Sequence, residues 1–280
     1  MKKVTVFART KPNDKAKIVT AYQRMGLKVS MCGDGANDCG ALKQADIGLS
    51  LSQAEASISA PFTATVANIS SMVELIIECR AGLATNFSLF NIMAIYSLIQ
   101  YTTTLVSEKF LQYPQDFHFL YWDLGLNFIY IIFIGYTKTA SELSIEKPRS
   151  SLFCFTNMLQ IMFAFGIQLA GQIAVIAIYQ AADPDFYATN GGMELAITNY
   201  NDNEDFAPGL EGTILFVFIN NMYVISMITF NIAKPWRQYF FTNIPLMFSI
   251  VLTLFYNHVV FFWYNGAYEK HFVDTYIPQN

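Results

Sequence analysis

The chain has 280 residues, 54% of them hydrophobic, 16% aromatic and 14% charged, against roughly a quarter charged in an ordinary soluble domain, which argues against a purely soluble protein. The charge is uneven: residues 1–83 hold ten basic and seven acidic side chains, a net of +3, whereas residues 84–280 hold seven basic and fourteen acidic, a net of −7. A short charge-dense segment is therefore joined to a long charge-poor one.

Val4–Ala8 is short, β-branched and aromatic and reads as a buried strand. Pro12-Asn13-Asp14 starts a helix, with Ile18, Val19, Tyr22 and Met25 at helical spacing before Gly26 closes it. Leu27–Cys32 reads as a second strand, followed by Gly33-Asp34-Gly35-Ala36-Asn37-Asp38, a short helix over Ala41–Ala45 and a third strand at Ile47–Leu51. Such alternation predicts a parallel sheet with covering helices, in which ligands bind at the carboxyl ends of the strands. Asp34 falls at such an end. Its flanking glycines allow close approach of a phosphate or metal, Asp34 and Asp38 offer hard oxygen ligands for Mg²⁺, and Lys15 is a point charge for phosphate. The same residues also fit a plain turn and a helix cap.

From Ala84 onward the chain reads as membrane. Five windows of about 20 mostly apolar residues meet the length needed to cross a bilayer: 84–106, 117–136, 155–179, 213–233 and 239–262. Lys138, Lys147 and Arg149 lie between the second and third, and Lys234 and Arg237 between the fourth and fifth, so those loops are expected in the cytoplasm. That topology puts residues 1–83 in the cytoplasm as well. On the lumenal side it puts a connection over 180–211 that has seven acidic and no basic residues, and the tail 263–280. The four cysteines form no CxxC pair and are expected as reduced thiols.

Ionisable groups inside spans are expensive and stand out as candidates. Asp123 lies in the second span, with Asn127 one turn later on the same helix face. Asn86, Asn91, Tyr96 and Gln100 lie in the first, and Glu108 and Asp116 beyond its end. Acidic and aromatic groups suit a cationic cargo, although an interhelical hydrogen bond is the commoner role of a membrane polar residue.

The string MCGDGANDCGALKQADIGLSLSQAEAS, Met31 to Ser57, closely resembles the hinge motif of the P-type ATPases, and in its Cys39-Gly40 pair and Ala54-Glu55-Ala56 it resembles the B branch of their fifth group. Phe7–Lys15 is similar to the stretch bearing that family's phosphate-contacting lysine, and Ala60–Thr63, Ile95–Tyr101 and Phe119–Leu124 extend the likeness into the membrane. The resemblance implies the C-terminal part of a haloacid-dehalogenase-like phosphorylation domain with its linker over 1–83 and a transmembrane domain over 84–262. It implies ATP-driven transport through an aspartyl-phosphate. In that scheme Asp34 and Asp38 hold Mg²⁺, Asn37 and Asp38 complete the phosphate shell, and Lys15 neutralises the transferred phosphoryl group. The implied cargo is a polyamine or another cation, carried from lumen to cytosol past Tyr96, Gln100, Asp116 and Asp123 in an endosomal, lysosomal or other endomembrane; no nucleic-acid partner is expected.

Two departures accompany the likeness. Family members commonly have Phe-Lys-Tyr-Met-Ala where this chain has Phe90-Asn91-Ile92-Met93-Ala94, and no DKTGT nucleophile or TGE motif occurs. The chain is therefore expected to be inactive alone and to work with N-terminal pump domains that also bind most of the ATP. The alternatives are the A branch, which handles transmembrane helices but usually lacks the Cys-Gly pair, and a non-catalytic membrane scaffold derived from a pump.

Overall fold

A computed structural model describes residues 4–51, 57–110, 114, 116–182, 184–185, 210–232 and 234–260. The chain divides into two compact units, Met1–Cys79 and Arg80–Asn280.

In the first unit, helix α1 (Pro12–Arg24) begins on a proline whose missing N–H costs nothing in a first turn, and Gly26, with φ +79°, turns the chain away after its Met25 cap. Strand β1 (Ser30–Gly33) leads through a 3₁₀ turn (Ala36–Asp38) into helix α2 (Cys39–Gln44), then strand β2 (Ile47–Ser50) and a two-residue strand β3 (Phe62–Thr63). The sheet order is β1-β2-β3 and both pairings are parallel, with Cys32 opposite Leu49 and Leu49 opposite Phe62. Leu49, Ala64 and Met72 form its buried core, flanked by Cys32, Ile47, Leu51, Leu75 and Ile76.

The expected strand at Val4–Ala8 is absent. These residues run without a ladder partner, and Val6 is 77% exposed. A strand needs neighbours for its main-chain groups, and among the described residues nothing pairs with this one. Helix α1 and strands β1 and β2 fall where periodicity placed them, within about three residues. The Ala54-Glu55-Ala56 triplet lies outside the described residues.

The second unit is helical. It holds most of helix α3 (Ser70–Glu108). Next come α4 (Asp116–Leu120), a π-helical stretch (Tyr121–Phe128) and α5 (Ile129–Gly135), then α6 (Phe155–Ala182), α7 (Leu210–Phe230), and α8 (Ile244–Phe255) with a second π-helical stretch (Tyr256–Val260). Among the described residues three helices are long and apolar enough to cross a bilayer: Ser70–Glu108, His118–Gly135 and Phe155–Ala182. Ile214–Phe230 and Ile244–His258 are apolar but shorter. The first helix begins 14 residues before the expected span at Ala84, because polar residues such as Glu74 and Glu78 continue a helix as readily as apolar ones continue a span. The last begins at Ile244 rather than Tyr239, since the Asn243 side chain caps it by accepting from Leu246 N–H at 3.1 Å, with Pro245 in its first turn.

A core cluster joins Ile92, Ile95 and Ile99 of α3 with Trp122, Leu126, Tyr130 and Ile134, with Leu215, Phe216, Ile219 and Tyr223 of α7, and with Leu246 and Ile250 of α8. Large apolar side chains such as Phe163 and Phe248 face outward, 70% and 67% exposed, as bilayer-facing side chains do. The chain is therefore an integral membrane protein. The tail 263–280 and most of the acidic connection lie outside the described residues.

Candidate functional site

In the first unit the site is built where β1 ends. The 3₁₀ turn after Gly35, held by Asp38 N–H donating to Gly35 C=O at 3.0 Å, folds Asp38 back over Gly33. A Cβ on Gly33 would lie 2.6 Å from Asp38 Cβ and 2.7 Å from its Oδ2, closer than any side chain tolerates. Gly35 differs: a Cβ there meets nothing within 4 Å, and its φ of −126° and ψ of 167° suit any residue. Of the two glycines around Asp34, only Gly33 is required by the chain's own packing.

Lys15, in the first turns of α1, donates to Asp38 Oδ1 at 2.6 Å. Asp38 is 7% exposed, so this pair satisfies a carboxylate that burial would otherwise penalise. Asp34 and Asn37 are exposed. Burial, with the nearby Asp34 and Asp38 carboxylates, pushes the Cys32 thiol above its ordinary range. Among the described residues no group of three His, Cys, Asp or Glu is arranged to hold a metal. Two carboxylates with one already paired still fit Mg²⁺, which keeps several waters and takes one or two carboxylates plus phosphate oxygens.

Asp46, which the sequence reading did not single out, ties this unit together. Its carboxylate accepts from Lys28 at 2.8 Å, Val29 N–H at 3.0 Å and Gln23 at 3.1 Å. Those bonds, the Lys28 contact foremost, hold its carboxyl well below the usual range. A lone Asp before a strand carries no pattern that announces this.

In the second unit, Tyr96 is 9% exposed and its ring stands 5.3 Å from that of Tyr223. Gln100 is half-buried one turn beyond Tyr96, and Asp116 opens α4 but its side chain lies outside the description. The expected polar stripe of Asp123 and Asn127 is not formed: Asp123 is exposed, while Asn127 is buried and donates to Trp122 C=O, five residues back, at 3.1 Å. That bond follows the π-helical winding of this stretch, which periodicity at 3.6 residues does not foresee.

Asn91, at the position where the resemblance has lysine, exchanges two amide hydrogen bonds with Asn157 of α6, at 3.0 and 2.9 Å. Farther along α6, Gln168 donates to Ser226 and Gln172 to Thr102 and Thr103, so buried amides join α6 to α3 and α7. Their spacing in an apolar span was a readable signal that the sequence reading missed. Arg237, 1% exposed, donates to Asn231 and to Ile134 C=O at the end of α5, a cation at a helix C-terminus.

No family model matches the chain. It is 36% identical over 252 residues to "Polyamine-transporting ATPase 13A2" of Mus musculus, covering 89% of this chain and 20% of that protein. It is 36% identical over 259 residues to "Polyamine-transporting ATPase 13A3" of Homo sapiens, covering 88% and 21%. It is 31% identical over 250 residues to "Vacuolar cation-transporting ATPase YPK9" of Saccharomyces cerevisiae, covering 89% and 16%. The chain thus spans about a fifth of the length of these curated relatives.

Proposed function

We propose, from the premise that this chain is by homology a member of the polyamine- and cation-transporting ATPase family, that it serves as the hinge and membrane part of an ATP-driven cation pump. The observation that carries this reading is the Lys15–Asp38 ion pair seated on Gly33 beside the exposed Asp34, at the carboxyl end of a parallel strand. Phosphoryl transfer is accelerated mainly by positioning and by cations facing the phosphate oxygens. Asp34 and Asp38 would hold Mg²⁺, which supplies charge neutralisation. Asp38 fixes the Lys15 ammonium where a phosphoryl oxygen would arrive, and Asn37 offers an amide to the same group. The fold assigned to residues 1–83 is the haloacid-dehalogenase type. The nucleophilic aspartate and most of the ATP site belong to sequence outside this chain, so residues 1–280 alone are inactive.

For the membrane part, the reading takes all five apolar helices as spans, with residues 1–83 cytoplasmic. The cargo is a polyamine or other cation moved from lumen to cytosol across an endosomal, lysosomal or similar membrane. Asp123 supplies a carboxylate for an ammonium group. The paired rings of Tyr96 and Tyr223 add cation–π attraction of roughly 0.5–2 kcal/mol each, and Gln100 and Asp116 extend the polar route.

The test is a chimera in which this chain replaces the matched fifth of the mouse relative. It should hydrolyse ATP on addition of spermine, and Asp123→Asn should lose that stimulation while retaining phosphoenzyme formation. Unchanged stimulation in Asp123→Asn would remove the cargo role and leave the phosphate-handling role standing.

A further inference from the structure

In the second unit a cavity of about 470 Å³ opens between α3, α6, the end of α7 and the basic loops that follow α5 and α7. Phe87, Phe163, Ile167 and Phe230 give it apolar walls, and the hydrogen-bonded Asn91–Asn157 pair also lines it. Arg149 and Trp236 stand at one end. Arg149 is exposed, and its nearest side-chain acceptor, Gln160 Oε1, lies at a loose 3.5 Å. Trp236 is pinned by donating to Glu146 C=O at 3.1 Å. Neither Asp nor Glu lines the cavity among the described residues.

The walls continue outward. Leu159, Phe163 and Ile167 share the outer face of α6 and are 54%, 70% and 54% exposed, a surface that only acyl chains would cover. An apolar trough that merges with the lipid-facing side and ends at an arginine and an indole has the polarity of a phospholipid: chain along the phenylalanines, phosphate at the guanidinium, indole at headgroup depth. Basic pockets between membrane helices take anionic headgroups in this way. Arginine matches a phosphate through two parallel N–H donors.

We propose that this cavity binds an anionic glycerophospholipid, with its phosphate on Arg149 and one acyl chain along Phe163 and Ile167. Phosphate on a guanidinium could also come from free inorganic phosphate, so the test separates the two sources. The inference rests on the membrane reading of α6 and on neither the pump's cargo nor the leaflet.

The full chain, purified in detergent, is titrated with phosphatidylserine or phosphatidylcholine and bound lipid is counted by native mass spectrometry. Phosphatidylserine should be retained about 5- to 10-fold better than phosphatidylcholine, the scale of one surface cation on an anionic lipid. Arg149→Gln should erase that preference and Arg149→Lys should keep most of it. Ala164→Phe, which fills the trough, should lower retention of both lipids. Millimolar inorganic phosphate should not displace the lipid. Equal retention of the two lipids, a preference that survives Arg149→Gln, or displacement by inorganic phosphate would each overturn the proposal. Near-ultraviolet circular dichroism of Arg149→Gln verifies that the helices still pack.

Discussion

Alanine at position 33 would put a methyl carbon 2.6 Å from Asp38 Cβ, 2.7 Å from Oδ2 and 2.8 Å from Cγ. The contact is with the base of a short side chain, which cannot swing aside without carrying the 3₁₀ turn with it, and Lys15 holds the same carboxylate through Oδ1. Overpacking of this kind costs about 1–3 kcal/mol. The turn and β1 should open more often by that amount, so amide hydrogen exchange of peptides covering residues 27–51 should speed about 5- to 150-fold, one decade per 1.4 kcal/mol. Gly35→Ala is the control, since nothing lies within 4 Å of its added carbon, and its exchange should match the unsubstituted chain. If Gly33→Ala exchanged at the unsubstituted rate, or if Gly35→Ala were equally affected, the assignment of an internal packing requirement to Gly33 and not to Gly35 would be refuted.

Lys15→Met should destabilise the first unit by roughly 1–3 kcal/mol, the cost of leaving a largely buried acceptor without its partner, and Lys15→Met/Asp38→Leu should recover part of that loss in the same exchange assay. Asp46 has its carboxyl held low by Lys28, Val29 N–H and Gln23, so its stabilisation is present above the ordinary carboxylate value of about 3.9 and is lost as pH falls through the depressed value. A pH series of thermal unfolding should show a shallower acid limb in Asp46→Asn than in the unsubstituted chain. In the membrane unit, a double-mutant cycle on Asn91→Ala and Asn157→Ala, followed by unfolding in mixed micelles, should give a coupling of about 0.6–1.7 kcal/mol, between the average and the maximum for interhelical hydrogen bonds in membranes; additive losses would show that the pair is not coupled.

Local pattern carried α1, β1, α2 and β2 because each has its own punctuation: Pro12 and Gly26 around the first helix, and glycines or acidic residues at the strand ends. It also placed Lys15 and Asp38 together, since the carboxyl end of a parallel strand is where helix N-termini and turns converge. Val4–Ala8 has the composition of a strand but lacks a partner, and pairing is a non-local fact. Phe62–Thr63 is too short to show an alternation. The π-helical winding at Tyr121–Phe128 changes which residues meet, so Asp123 and Asn127 part company despite their spacing. Tyr223, against whose ring Tyr96 packs, sits on a helix more than 100 residues later and was legible only through tertiary packing.

The central claim is that the Gly33–Asp38 turn handles phosphate and Mg²⁺, and phosphoenzyme turnover in the chimera with the mouse relative tests it most directly. With radiolabelled ATP and Mg²⁺ the chimera should form an acid-stable phosphoenzyme that decays within a catalytic cycle. Asp34→Asn should abolish that turnover, while the exchange protection of residues 27–51 stays unchanged. Turnover by Asp34→Asn at the rate of the unsubstituted chimera would contradict the account.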